Sequence, residues 1–274
     1  MFSGTTLTSA SGFLLGAHQK IDRFASKQLE ELLGVNKYSF PEISTILHFE
    51  GNNGPDAIKR KSPSKDEPWH YFHPYNHEDV NLIEIIDSHF SRLVESLKQH
   101  DEVRSSFEAA WLAHAIVDGL TPAHQYPYGE KVVELRGGAS LDTRTTFKAK
   151  VMMPGETVYK MLANNWKFWG PKGLFMTHAA FEFGVAFLIR PMKFNKHLFK
   201  TYDLTLITKE NLGDWYRDIA KNIYDMDLYH RFYSKGWDRR LAKDIKHHML
   251  PQIVNCVALV WYGALKAANE DIEV

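Results

Sequence analysis

The chain has 274 residues, 44% of them hydrophobic and 24% charged, with 33 basic side chains balanced by 33 acidic ones. That length can bury a large core, and a formal net charge of zero argues against a polyanionic partner held by bulk charge. The single cysteine, Cys256, excludes an internal disulfide framework and any multi-cysteine metal site, so a bound metal has to be held by His and carboxylate.

The 14 histidines and 13% aromatic content suit a deep aromatic-lined cleft and, equally, an aromatic-rich core. The opening MFSGTTLTSASGFLLGAH lacks the basic region of a secretory signal, and its apolar run is short. No window comes near the roughly 18 apolar residues of a membrane span. A soluble, cytoplasmic protein is the expectation, with export by another route left open.

Between Phe13 and Leu33, apolar residues recur at helical spacing and Gly34 closes the segment, with His18 on the apolar side. Ser39 and Glu42 have capping-box spacing around Pro41, which predicts a short helix from there. Gly51 to Pro68 reads as a surface loop rich in Gly, Asn, Pro and mixed charge, with Asp56 inside it. WHYFHPYNHED, residues 69–79, packs His70, His73 and His77 among aromatics, and Pro74 argues against a helix there.

From Glu78 to Leu97 an amphipathic helix is predicted with Leu82, Ile86, Phe90 and Leu93 inward. A second helix follows from Val103. It leads into Trp111 to His124, WLAHAIVDGLTPAH, where His114 and Asp118 fall on one face a turn apart. Gly119 and Pro122 end that helix, and His124 lies on the outgoing turn. Such a His-Asp pair is also what a hydrogen-bonded pair without metal looks like.

Residues 126–153 show no sustained period and read as a long excursion with a short hairpin at Lys131 to Leu135. Pro154 to Glu156 open a helix to about Trp166, and WKFWGPKG is an aromatic turn. Leu174 to Ile189 is apolar nearly all round, so this helix is expected to be buried. It carries His178 and Glu182 four apart, and a Glu in so apolar a helix needs a partner. Helices are predicted over 209–230 and from Trp237 to Ala268, the latter interrupted at Pro251. Asp225, Asp227 and His230 read as a solvated helix end, and the adjacent His247 and His248 point different ways. Without repeats or strand ladders, the expectation is an all-α protein forming one domain over 1–274.

In chain order, His18, Asp56, His70, His114, Asp118, His124, His178 and Glu182 resemble the ligand set of the zinc-dependent phospholipase C family. More distantly they resemble the single-strand-specific zinc nucleases that share its fold. The resemblance rests on GAHQKID around His18, GPD at Asp56, WHYFHPYN at His70, the His-x3-Asp-x5-His of WLAHAIVDGLTPAH, and the His-x3-Glu of THAAFE. It spans residues 18–182.

The resemblance implies an all-α fold and up to three zinc ions. Asp56, His70, His114 and Asp118 would hold one, His18 and Asp118 a second, and His124, His178 and Glu182 a third. It implies a zinc-dependent phosphoesterase that hydrolyses a phosphodiester with a metal-activated hydroxide, Asp56 serving as catalytic base. Imidazole and carboxylate donors suit zinc on chemical grounds alone.

Two departures stand out. The family completes the His18 site with the free amino group of an N-terminal Trp, and no Trp precedes His18 here. That site is therefore expected to be the weakest, completed by water, by a group such as His73, or left empty. His124 and His178 lie 54 apart, farther than is usual for the family, and the excursion over 125–173 fills the gap.

Neutral charge and abundant aromatics favour a phospholipid or small phosphodiester, with peripheral membrane contact open to it and nucleic acid less favoured. Two alternatives remain. One is a single-strand nuclease or nucleotidase of the same fold. The other is a non-catalytic helical protein that keeps a structural zinc site and binds a partner.

Overall fold

A computed structural model describes residues 1–4, 16–34, 39–57, 71–197, 199 and 207–269. The described residues form helices and no strands. In order they are α1 (Ala17–Leu33), α2 (Ile43–His48), a short 3-10 turn (Gly51–Asn53), α3 (Asn81–Lys98), α4 (Glu102–Gly119), α5 (Tyr128–Leu135), α6 (Phe147–Val151), α7 (Val158–Trp169), α8 (Leu174–Ile189), α9 (Lys209–Tyr224), α10 (Leu228–Lys235), α11 (Arg239–Asp244) and α12 (Leu250–Asn269).

The core is built around α12, whose buried face runs from Leu250 through Val254, Val257 and Trp261 to Leu265. It packs against α1, α3 and α4. The fully buried Trp261 donates from Nε1 to the Ala109 carbonyl at 3.1 Å, which satisfies its one polar atom and ties α12 to α4. Helices α3 and α4 are joined by three residues, with His100 in the left-handed region (φ 55°), and so form a hairpin. In α4 the Asp101 carboxylate caps the first turn through the Arg104 amide at 2.9 Å. Thirteen of the eighteen α4 residues are buried, which places His114 and Asp118 in the interior.

Several helix starts lie inside the expected ones. Helix α2 begins at Ile43 with Glu42 as its cap, and Ser39 takes no part in a capping box. Helix α3 begins at Asn81, and α7 at Val158, where the Thr157 hydroxyl accepts from the Lys160 amide at 3.1 Å. The stretch after α2 is not a surface loop in its described part: Gly51, Gly54, Pro55 and Ala57 are buried. Residues 58–70, and with them His70, lie outside the described residues.

The excursion is helical rather than a hairpin. Val132 and Leu135 follow Tyr128 at helical spacing, and the buried Val132 joins Met153 and Phe168 in a small satellite core. At Pro251 the last helix is not broken, because a wider π-type turn over Ile245–Met249 absorbs the proline just ahead of it.

Two helical stretches, Val158–Ile189 and Arg239–Asn269, are long and apolar enough to cross a membrane by length and composition. This corrects the expectation that no window comes near a span. The second is 78% buried and is the core helix of this fold, whereas the first is only 39% buried. Helix α8 is accordingly not buried all round: Met176, Phe183 and Phe187 are exposed.

Candidate metal centre

The centre grows from the C-terminal end of α4. Gly119 closes that helix where a side chain cannot fit, since a Cβ there would lie 2.1 Å from the Tyr216 hydroxyl and 2.3 Å from Leu82. The chain then turns tightly, with the Thr121 amide donating to the Asp118 carbonyl (2.9 Å) and the His124 amide to the Thr121 carbonyl (2.8 Å). This turn carries His124 back toward Asp118, so WLAHAIVDGLTPAH delivers three donors to one place. The Asp118 carboxylate meets His124 Nδ1 at 3.6 Å and, through its other oxygen, His114 Nε2 at 3.3 Å.

The first helix supplies His18, fully buried, with Nε2 3.1 Å from Asp118 Oδ1. Its ring stacks on that of His114 at 4.1 Å. Helix α8 supplies His178 and Glu182, with His124 Nε2 at 2.9 Å and His178 Nε2 at 3.1 Å from one Glu182 oxygen. The His124 and His178 rings also stack, at 5.0 Å. Asp56 sits at the edge, Oδ1 3.8 Å from His114 Nε2, with its other oxygen accepting from the Ser3 hydroxyl at 2.7 Å. The structure thus brings seven of the eight proposed ligands together; the eighth, His70, is outside the described residues.

Three contributors escaped the sequence. The Met1 amino group is buried between two of the expected ligands, 2.5 Å from Asp118 Oδ1 and 3.3 Å from Glu182 Oε1. Residues 1–4 reach that point because the Ala17 amide donates to the Phe2 carbonyl at 2.8 Å and the Gln19 amide nitrogen donates to the Ser3 carbonyl. A main-chain amine therefore stands where the sequence suggested water, His73 or nothing. His73 packs instead against Tyr224 at 5.2 Å.

Glu50 is the second. It is fully buried, with Oε1 2.8 Å from His114 Nδ1. Its only signal in the sequence is that it is a lone acid after the apolar run of ISTILHF. Third, Tyr71 and Tyr128 stack on each other at 5.4 Å and wall the far side, Tyr71 5.4 Å from His124 and Tyr128 5.3 Å from His178. Tyr128 belongs to the excursion, which in this way forms part of the centre. Asp225, Asp227 and His230 sit at an exposed helix end, where Asp225 takes the Tyr75 hydroxyl and Asp227 faces His230.

Burial dominates the electrostatics and the local charges correct it. Burial alone would lower the His114 imidazole; the carboxylates of Glu50 and Asp118 overcome it and hold His114 well above the ordinary histidine range. Burial and the Met1 ammonium push His124 down to about 4. Glu182 would be raised by burial, but the Met1 ammonium and then His178 hold it well below the carboxylate range. Asp22, one turn after His18, is pushed well up by burial and by Glu50.

These residues fit zinc. Two groups, His18 with Glu50 and His114, and His124 with His178 and Glu182, each place three donor atoms within 4.8 Å of one another. Imidazole nitrogen and carboxylate oxygen are the donors zinc takes when thiolate is lacking, and Cys256 is buried in α12. His18 and His178 each leave Nδ1 buried without a hydrogen-bond partner. Rings so placed are held by packing, with Nε2 directed at the carboxylates.

No family model and no curated protein matches the sequence. Among solved structures the chain is similar to Clostridium perfringens alpha-toxin from avian strain SWCP, with a TM-score of 0.55, 13% identity and 96% of this chain covered. The chain spans 65% of that structure's length. At so low an identity the likeness speaks of the fold, and the expected all-α fold of phospholipase C type is the fold this chain has.

Proposed function

We propose that the chain is a zinc-dependent phosphoric ester hydrolase of phospholipase C type, its residues 1–274 acting as one domain on the phosphodiester of a phospholipid or a small analogue. The observation that carries this reading is Asp118. Its two oxygens face different imidazoles, His18 at 3.1 Å and His114 at 3.3 Å, so this one carboxylate could serve two cations. His124, His178 and Glu182 would hold one ion. Asp56, His114, Asp118 and, from sequence order, His70 would hold a second; His18, Asp118 and the Met1 amine would hold the third. When bound, zinc supplies a Lewis acid for phosphate oxygen and lowers the pKa of water.

The chain's own residues divide the remaining work. The Asp56 side chain is 34% exposed against 2% for Asp118, so Asp56 can meet a substrate as well as a ligand and suits the role of base. The Ser3 hydroxyl, 2.7 Å away, fixes its orientation. Glu50 accepts from His114 Nδ1 and so turns Nε2 toward Asp118. Tyr71 and Tyr128 shield His124 and His178 from water on one side, which strengthens every charge interaction inside.

Metal analysis of the purified protein by mass spectrometry tests the first step. Less than one equivalent of zinc, with no loss of stability on chelation, sinks the reading. Given two or three equivalents, turnover of p-nitrophenyl phosphodiesters, phosphatidylcholine and single-stranded DNA separates the substrate classes. Zinc without turnover on any of them leaves a structural metal site.

A further inference from the structure

Among the described residues, helices α7 and α8 leave many large apolar side chains exposed. The stretch Val158–Ile189 is as apolar as a membrane span, yet only 39% of its apolar window is buried. On α7 the exposed side chains include Tyr159 (83%), Leu162 (61%) and Trp166 (69%), at helical spacing on one stripe. On α8 a second exposed stripe runs through Met176, Phe183 and Phe187 (58%). Large apolar side chains exposed along two helices that pack on each other mark a surface that meets something.

Charge says what that something is. Between Glu156 and Lys193 there are five cations, Lys160, Lys167, Lys172, Arg190 and Lys193, and two acids, Glu156 and Glu182, the latter turned into the candidate metal centre. The chain as a whole is neutral, so this segment is a local excess of positive charge on an apolar, aromatic surface. Exposed Trp and Tyr beside Lys are the groups that settle at the boundary of lipid and water, the rings at headgroup depth and the ammonium groups against phosphate. The Gly170–Gly173 turn between the helices brings Trp169 to 4.7 Å from Phe175, which gives the hairpin an aromatic tip.

The surface is continuous with the centre. Helix α8 bears both His178 and Glu182, and its exposed Phe183 packs at 4.6 Å on Phe2, the residue after the buried Met1 amine. The geometry points to a lipid-docking face formed by α7 and α8, which holds the protein on an anionic bilayer beside its metal centre. A helix pair of this kind lies on the membrane without crossing it, since α8 is fixed in the fold by Phe181, Val185 and Ile189. The docking itself rests on these observations; its role in delivering a phosphodiester rests on the hydrolase reading above.

The test uses the full-length, zinc-loaded protein, vesicles of phosphatidylcholine with phosphatidylserine, and the double variant Tyr159→Ser/Trp166→Ser. Both positions are exposed and outside the centre, and an unchanged melting temperature checks that the variant is folded. Wild type is expected to co-sediment with the vesicles. The variant is expected to bind about tenfold more weakly or worse, while its turnover of a soluble p-nitrophenyl phosphodiester stays at the wild-type value. Equal vesicle binding by both proteins, or none by wild type, overturns the proposal. So does a wild-type dimer in solution that the variant abolishes with no vesicle binding by either. Vesicle binding lost in the variant, with neither protein hydrolysing any phosphodiester, keeps the docking face and removes the hydrolase reading.

Discussion

Replacing Glu50 tests whether the centre is organised as a metal site beyond its ligands. Glu50 is fully buried and its Oε1 lies 2.8 Å from His114 Nδ1. With Nδ1–H donating there, Nε2 is the nitrogen left to take a metal beside Asp118 and Asp56. Glu50→Gln keeps an acceptor and loses the charge; Glu50→Ala also leaves the Nδ1–H buried without a partner. Partners of this kind are worth about 10- to 100-fold in metal affinity, or about 1.4–2.7 kcal/mol. Gln is expected at the low end and Ala at the high end, with Ala costing about a further 1–3 kcal/mol of stability for the orphaned donor.

Competition with a chromophoric zinc chelator reads the affinity directly. An affinity within twofold of wild type for both variants would refute the orienting role, and loss of a whole zinc equivalent would make Glu50 a ligand itself. The metal-free protein offers an independent check. Glu50 and Asp118 raise His114 above its unfolded value, so the ion pair stabilises fully below the unfolded pKa of about 6.5 and is lost as pH rises through the folded value. The stability lost in Glu50→Gln should therefore be greatest below about pH 6.5 and shrink toward high pH in chemical denaturation.

On the proposed reading Asp118→Ala should lower kcat/KM by about a hundredfold or more, beyond any other single ligand change, because it would remove a group shared by two cations; near wild-type turnover would contradict the sharing. Acetylating the Met1 amine removes the ammonium that pairs Asp118 and Glu182 in the metal-free protein, which should cost about 1–3 kcal/mol of stability, and the nitrogen lone pair that would bind zinc, which should cost zinc affinity; calorimetry with and without zinc reads both. Gly119→Ala forces a Cβ into the Tyr216 hydroxyl and Leu82, and should destabilise by about 1–3 kcal/mol in urea titration. If the centre holds zinc, chelation should lower the melting temperature, since the buried His18, His114 and His124, the partly buried His178 and their carboxylates would lose the cations that pair them.

Sequence reading succeeded where a regular helix sets the geometry. His114 with Asp118, and His178 with Glu182, are i, i+4 pairs whose shared face follows from the 3.6-residue period, and both pairs converge in the structure. It failed where geometry comes from tertiary contact. Glu50 has no spacing relation to His114, 64 residues away, and Met1 reaches Asp118 only through the backbone bonds of residues 1–4 to the start of α1. The excursion failed for a third reason. Eight residues with a Val-Val step do not separate helix from strand by period, and what decides for α5 is burial of Val132 against Met153 and Phe168.

Helix α8 departs furthest from what its apolar sequence predicts. An all-round apolar helix implies burial only if the protein supplies enough surface to cover it, and here, among the described residues, the core takes Phe181, Val185 and Ile189 and leaves Met176, Phe183 and Phe187 exposed. The same helix holds His178 and Glu182 on a partly buried flank, 13% and 15% exposed. Three demands thus meet on sixteen residues: an apolar side for the core, a polar flank that would serve the proposed metal, and a further apolar side that the described residues leave partly exposed. A soluble enzyme acting on a free phosphodiester needs the first two. The third is costly in water and is explained if the substrate's own surroundings are apolar, which makes vesicle binding the measurement on which substrate class turns.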